Sequence, residues 1–227
     1  MQKRKIIIGT YDTAIEGLWT LTSWALSKAV ANEQYVNVPG HSGPLDLSTA
    51  LTDGEPYYMS REFEATLESS EGTRLEREER INQMINRLDG WRFNIVLPDD
   101  PTHYISGRVR VEKLYNTPAH ASVQISATCD PWRYNNSETL VGVIAKSTEQ
   151  TVSLINNGRC SVVPKVKVVG GNATLKFNTR EGVQTWTLTP GEYGPEDLPD
   201  IYLKTGTTPL IYSGSATITL TYREAVL

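Results

Sequence analysis

Between Tyr57 and Glu68 the side chains alternate. Met59, Arg61, Phe63, Ala65 and Leu67 share one parity, and Tyr58, Ser60, Glu62, Glu64, Thr66 and Glu68 share the other. A period of two is that of a half-buried strand. Arg61 on the apolar face is then either an exposed strand end or a buried charge with a partner. From Thr73 the period changes. Thr73-Arg74-Leu75-Glu76 has the form of a capping box, in which the Thr hydroxyl takes the N3 amide and Glu76 reaches back. Ile81, Met84, Ile85 and Leu88 then stand at i, i+3, i+4 and i+7, a single apolar stripe. Glu76 and Arg80 form an i,i+4 pair, and Gly90 after Asp89 supplies a stop. These signals agree on a helix over Arg74–Leu88.

Trp91–Leu97 alternates again and runs into the turn Pro98-Asp99-Asp100-Pro101, after which His103–Lys113 and Ser122–Cys129 read as strands. Strands around one helix predict an α+β module with mostly antiparallel pairing. Pro131-Trp132-Arg133-Tyr134-Asn135-Asn136-Ser137 breaks that pattern. Beyond it only short strands are predicted: Thr151–Ile155, Lys165–Val169, Ala173–Asn178, Val183–Leu188, Ile201–Lys204 and Ser215–Tyr222. Asn157-Gly158, Gly170-Gly171-Asn172, Pro190-Gly191 and Gly194-Pro195 punctuate them. Short strands without a helix predict a β-sandwich. The expected organisation is therefore mainly β with one α-helix, in two domains: residues 1–134, a linker at 135–138, and a sandwich over 139–227.

Composition narrows the function. The 227 residues are 39% apolar and 21% charged, enough for a core and a solvated surface, which excludes long disorder. The net charge is −4 and Lys and Arg are scattered beyond the first residues, so no basic face for nucleic acid is expected. No run approaches the roughly 20 apolar residues that span a bilayer. Only Ile6-Ile7-Ile8 follows the basic start, short of the ~7–15 apolar residues of a secretory signal, so synthesis in the cytoplasm without export is expected. Cys129 and Cys160, both inside predicted strands, read as reduced, buried small hydrophobes. The sequons at Asn135 and Asn172 carry little meaning without a secretory route.

Candidate chemistry is sparse. His41, His103 and His120 lie in or beside turn-like sequence without metal-ligand spacing, and solvated surface histidines are expected. Asp99 and Asp100 are adjacent carboxylates, but the flanking prolines make them turn residues. No nucleophile elbow, phosphate loop or dinucleotide fingerprint is present. No catalytic, cofactor-binding or metal-ligating residue is predicted, and no cofactor. Trp186 and Tyr202 offer ring faces for a sugar, but Trp186 shares the parity of Leu188, and core packing is the better reading.

The motifs follow one another in a particular order. A charged first strand precedes Tyr11-Asp12-Thr13, and then comes Val36-Asn37-Val38-Pro39-Gly40 with Gly43-Pro44-Leu45-Asp46-Leu47. Tyr57-Tyr58-x-x-Arg61 opens a strand, the capped helix follows, and then His103-Tyr104-x-x-Gly107-Arg108 and the Val123–Tyr134 segment. This order resembles the N-terminal domain of the distal tail proteins of siphophages. The family's closing "c-x-P-P" is here Cys129-Asp130-Pro131-Trp132, a small departure. Asn156-Asn157-Gly158 followed by Pro164–Gly170 is similar to the opening of that family's galectin-like C-terminal sandwich. The resemblance implies a structural protein of the virion without enzymatic activity. It implies a homo-hexameric ring, built by the N-terminal domains, at the distal end of the tail. It further implies contacts with the tail-tube protein on one side and the tail-associated lysin or tip protein on the other. It implies no membrane and no nucleic-acid sequence recognition. The competing reading is a stand-alone, lectin-like carbohydrate-binding protein, which leaves the elaborate first half unaccounted for.

Overall fold

The computed structural model describes residues 4–40, 42–50, 54–179, 182–198 and 201–227. The first half begins with β1 (Ile7–Ile8), β2 (Tyr11–Asp12) and β3 (Thr20–Leu26), followed by β4 (Tyr35–Val36), β5 (Leu45–Asp46) and β6 (Arg61–Ser69). Then come α1 (Arg74–Leu88), β7 (Arg92–Leu97), β8 (Asp100–Asn116) and β9 (Ala121–Asn135). One sheet runs β2-β1-β7-β8-β9-β6-β3, and β4 and β5 pair only with each other.

The alternation in β6 does what its period requires. Phe63, Ala65 and Leu67 are buried, while Glu62 and Glu64 are exposed. The strand starts four residues later than predicted, at Arg61. Met59, expected on the apolar face, is 48% exposed. Arg61 is the buried alternative: its Nε donates to the Ser27 carbonyl at 2.7 Å. The helix has the predicted bounds and both arms of its capping box: Glu76 N donates to Thr73 Oγ1 at 3.3 Å, and Thr73 N to Glu76 Oε2 at 2.6 Å. Gly90 takes φ +79°, the left-handed conformation that closes a helix C-terminus at low steric cost. The buried stripe is Arg77, Ile81, Met84 and Leu88, with Ile85 only flanking it.

Two expectations need correction. The break at Pro131–Ser137 is not where β9 ends; that strand continues through Pro131 and Trp132 to Asn135. The turn at Pro98–Pro101 shrinks to Pro98-Asp99, because β8 already starts at Asp100. Gly107, in the Tyr-x-x-Gly-Arg motif, is required by packing: a Cβ there would lie 2.5 Å from Cys129 Sγ and 2.9 Å from the Thr128 carbonyl.

The chain forms two compact units, Met1–Arg133 with Leu227, and Tyr134–Val226. The second contains β10 (Thr139–Ile144), β11 (Gln150–Asn156), β12 (Lys165–Val169), β13 (Ala173–Thr179) and β14 (Gly182–Leu188). After these come β15 (Gly191–Tyr193), β16 (Gly206–Gly214), β17 (Thr217–Tyr222) and β18 (Ala225–Val226). Two four-stranded antiparallel sheets, β10-β17-β12-β15 and β11-β16-β13-β14, enclose one apolar cluster. Val166, Val168, Ile218 and Leu220 enter it from the first sheet, and Leu154, Leu175, Phe177 and Leu210 from the second. Sequence reasoning missed β10, β15, β16 and β18. The strand predicted at Ile201–Lys204 is only the isolated bridge Val162↔Leu203.

The Asn156-Asn157-Gly158 motif has a local cause. Asn156 is fully buried; its Nδ2 donates to the carbonyls of Cys160 (2.9 Å) and Leu203 (3.0 Å), and its Oδ1 accepts from Gly158 N (2.9 Å). A Cβ on Gly158 would stand 2.8 Å from Ala225 N. Cys160, expected inside a strand, lies in the bend that this asparagine holds. Among the described residues the protein is thus mainly β with one helix.

Candidate assembly interface

β3 and β6 are neighbours in the sheet, with Leu26 opposite Phe63. Between them the chain leaves for residues 27–60, and none of the described residues of that excursion is buried. A connection of this length contributing nothing to a core is either functional or disordered. Its described residues are held by hydrogen bonds along the arm and to β6, and by the Tyr58 ring meeting Trp132 of β9 edge-on. At its base Ser27 N donates to the Glu62 carbonyl and Glu62 N to Ser27 Oγ, both at 2.8 Å. Further out, Ala31 bridges Tyr58, with Asn32 N to the Tyr57 carbonyl at 2.7 Å and Met59 N to the Val30 carbonyl at 2.9 Å.

The tip is the β4–β5 hairpin, Tyr35 opposite Asp46 and Val36 opposite Leu45. It is extended by Leu47 N to the Gln34 carbonyl and by Gln34 N to Ser48 Oγ, both at 2.8 Å. Gly40 and Gly43 take φ +84° and +95° between the strands, the conformation that favours glycine. The Pro-Gly-x-x-Gly-x-Leu-Asp stretch flagged in the sequence is therefore a hairpin. Hydrogen bonds from the Ser48 hydroxyl and amide hold the Asp46 carboxyl below the usual carboxylate range. The Glu33 and Asp46 charges push the Tyr35 hydroxyl up.

Among the residues that the arm presents are eight large apolar ones. Val30, Tyr35, Val36, Val38, Leu45, Leu47, Tyr57 and Met59 are all solvent-exposed. A two-stranded hairpin is marginal by itself, and large apolar side chains gathered on one exposed element mark an interaction surface.

The other candidates do not assemble into a site. His41 lies outside the described residues. His120 is exposed, edge-on to the Tyr115 ring. His103 corrects the expectation of a solvated residue: it sits in β8 with Nδ1 2.9 Å from Asp100 Oδ1. Asp100 also binds Arg133 at 2.8 Å, while Asp99 turns to Arg4 at 3.4 Å, so the adjacent carboxylates diverge. Among the described residues no three His, Cys, Asp or Glu could together hold a metal ion. No helix is long and apolar enough to cross a membrane among them. Trp186 packs against the sandwich core opposite Leu175, and Tyr202 meets Phe177 edge-on.

The chain superposes on the crystal structure of the SPP1 Dit (gp 19.1) protein. That protein is described as a paradigm of the hub adsorption apparatus in phages that infect Gram-positive bacteria. The TM-score is 0.64, with 98% of this chain and 99% of that chain covered at 15% identity. This chain has the Dit fold. No protein-family model matches the sequence, and no curated protein matches it at a significant level. Likeness to distal tail proteins, read from the order of motifs, thus has its counterpart in three dimensions. In this chain the described residues of the arm at 27–60 take no part in a core. Sequence reasoning placed only Val36–Leu47 there. The rest of the arm had no signal, because exposed apolar residues in irregular chain look like core residues in sequence.

Proposed function

We propose that this chain is a non-enzymatic structural protein of a phage tail. In this reading six copies form a ring at the distal end, joining the tail tube to the tip and host-adsorption apparatus. The single observation that carries it is the end-to-end match to SPP1 Dit, a hub protein, over both chains. The arm supports it physically. A head-to-tail ring needs two different complementary patches on each copy, and an ordered apolar arm outside any core supplies one of them. In this reading the work is divided: residues 1–134 form the ring, and residues 139–227 form a galectin-like sandwich that takes no part in closing it. The partners are other copies of this chain, the tail-tube protein and the tail-associated lysin or tip protein, and the protein resides in the virion. Negative-stain microscopy of the purified full chain tests this. Six-fold rings with an open centre are expected, and particles of one-chain size at every concentration would overturn the proposal.

A further inference from the structure

β10 is an edge strand without the features that usually protect an edge. Its sequence, Thr139-Leu-Val-Gly-Val-Ile144, contains no charge and no proline. It pairs with β17 on one side, and among the described residues no strand lies on the other. Natural sheets blunt such edges with charges, prolines or bulges. Of the other edges of the sandwich, β15 exposes Glu192, and β11 and β14, also without charge or proline, expose mainly Thr and Ser beside one apolar residue each, Ile155 and Val183. On β10 the exposed positions are Leu140 (66%), Gly142 and Ile144 (70%), while Val141 and Val143 pack against the core.

The free backbone groups belong to those same exposed residues. Ala145 N donates to the Ala216 carbonyl at 2.8 Å, in the register of the β10–β17 ladder. Hydrogen-bonding residues alternate in an antiparallel pair. Residues 139, 141 and 143 therefore face β17, and the amides and carbonyls of Leu140, Gly142 and Ile144 face outward. Gly142 itself has no local reason to be glycine: a Cβ there meets nothing within 4 Å. A glycine inside a strand weakens it and often marks close approach of another backbone.

We propose that β10 pairs antiparallel with β10 of a second copy of this chain, about a two-fold axis at Gly142. That register is self-consistent. Gly142 faces Gly142 as a hydrogen-bonded pair, and Leu140 lies opposite Ile144 of the second copy, with all the paired groups already pointing outward. A second copy thus matches the edge in hydrogen bonds and in apolar contact. The contact closes at two copies, so it is not the head-to-tail contact of a ring and goes beyond that reading; it joins protomers of two different rings. An edge this short buries less than a standard interface, so pairing depends on high protein concentration or on many copies held together.

The test is a Gly142→Cys substitution in the full chain, in a Cys160→Ser background, under mild oxidation and read by intact mass. Opposed Cα atoms in a hydrogen-bonded antiparallel pair lie about 5.5 Å apart, within disulfide range. A covalent dimer of twice the chain mass is expected. Leu140→Cys in the same background should give none, because the two cysteines would be offset by four residues, about 13 Å. Adding Leu140→Lys and Ile144→Lys should cut the Gly142→Cys dimer at least about tenfold while leaving the unfolding temperature unchanged, since both side chains are solvated. No dimer from Gly142→Cys, equal dimer from Leu140→Cys, or no effect of the lysines would overturn the pairing. Six-fold rings without the cross-link would reject the pairing and leave the hub reading standing, and the cross-link without rings would do the reverse.

Discussion

Arg77 is the most consequential residue that the apolar stripe of the helix concealed. It is 1% exposed and lies between the Thr73 cap and Ile81 on the buried face. Its guanidinium donates to the carbonyls of Gly72 (2.5 Å), Thr117 (2.7 Å) and Pro118 (2.8 Å), and to Asn116 Oδ1 at 3.4 Å. It thereby ties the start of the helix to the β8–β9 turn. Removing it leaves three carbonyls without their donor, at about 1–3 kcal/mol each if they stay dry. Pro118 and Ala119 are exposed, so water reaches part of the site and the low end applies. The loss of the buried stem adds to this cost, and relief of guanidinium desolvation subtracts. Arg77→Ala should therefore destabilise the first unit by about 3–4 kcal/mol, and Arg77→Met, which keeps the stem volume, by about 2–3 kcal/mol. Trp19, Trp24, Trp91 and Trp132 lie in that unit and only Trp186 in the other. In a Trp186→Phe background, tryptophan fluorescence in a urea titration follows the first unit alone, and a midpoint shift at unchanged slope gives the difference. A loss below about 1 kcal/mol for Arg77→Ala would refute a buried, fully bonded guanidinium.

The helix face orders three further substitutions: Met84→Ala should cost about 2–5 kcal/mol, Ile85→Ala less, and the exposed Glu79→Lys within about 0.5 kcal/mol, all by denaturant titration; Ile85 costing more than Met84 would mean the wrong face. Burial, with the Glu62 and Asp130 charges, pushes the Cys129 thiol up to about 12. A thiol reagent at pH 8 should therefore label Cys160 in the native protein and Cys129 only after unfolding, checked by mass of labelled peptides. Asp12 is raised by burial but lowered more by the Lys5 ammonium and the Ile15 and Ala14 amides, so its carboxyl sits below the ordinary 3.8. A depressed carboxylate stabilises above its unfolded value and loses that contribution as pH falls through the folded one. Asp12→Asn should therefore destabilise at pH 7, and the gap should persist to about pH 4 and close below it in unfolding titrations across pH.

The elements legible in the sequence were those in which local signals agreed. The capping box, the stripe and Gly90 placed the helix to the residue, and the strict alternation placed the core of β6. Arg77 was illegible because an arginine in a helix reads as surface, and its Thr117 and Pro118 acceptors lie some 40 positions away in a turn. β10 and β16 escaped for the opposite reason. Leu140–Ile144 is apolar on both faces, and Gly206–Gly214 carries a proline in mid-strand, so neither shows a clean period of two. The end of β9 was hidden by Pro131, which the strand accommodates. For the candidate interface, the turn residues of the hairpin were readable. Its isolation from the core was not, because burial is a property of the folded surroundings and not of the residues.

In the proposed ring, the arm at residues 27–60 closes the contact between copies of this chain. Val36→Asp with Leu45→Asp places two charges on the exposed β4–β5 tip, where both side chains are already solvated and the fold should tolerate them. Light scattering of the full chain, beside its parent at equal concentration, reads the mass directly. A six-chain assembly is expected for the parent and a several-fold lower mass for the folded double variant. Equal masses for the two, with the variant folded, would contradict it.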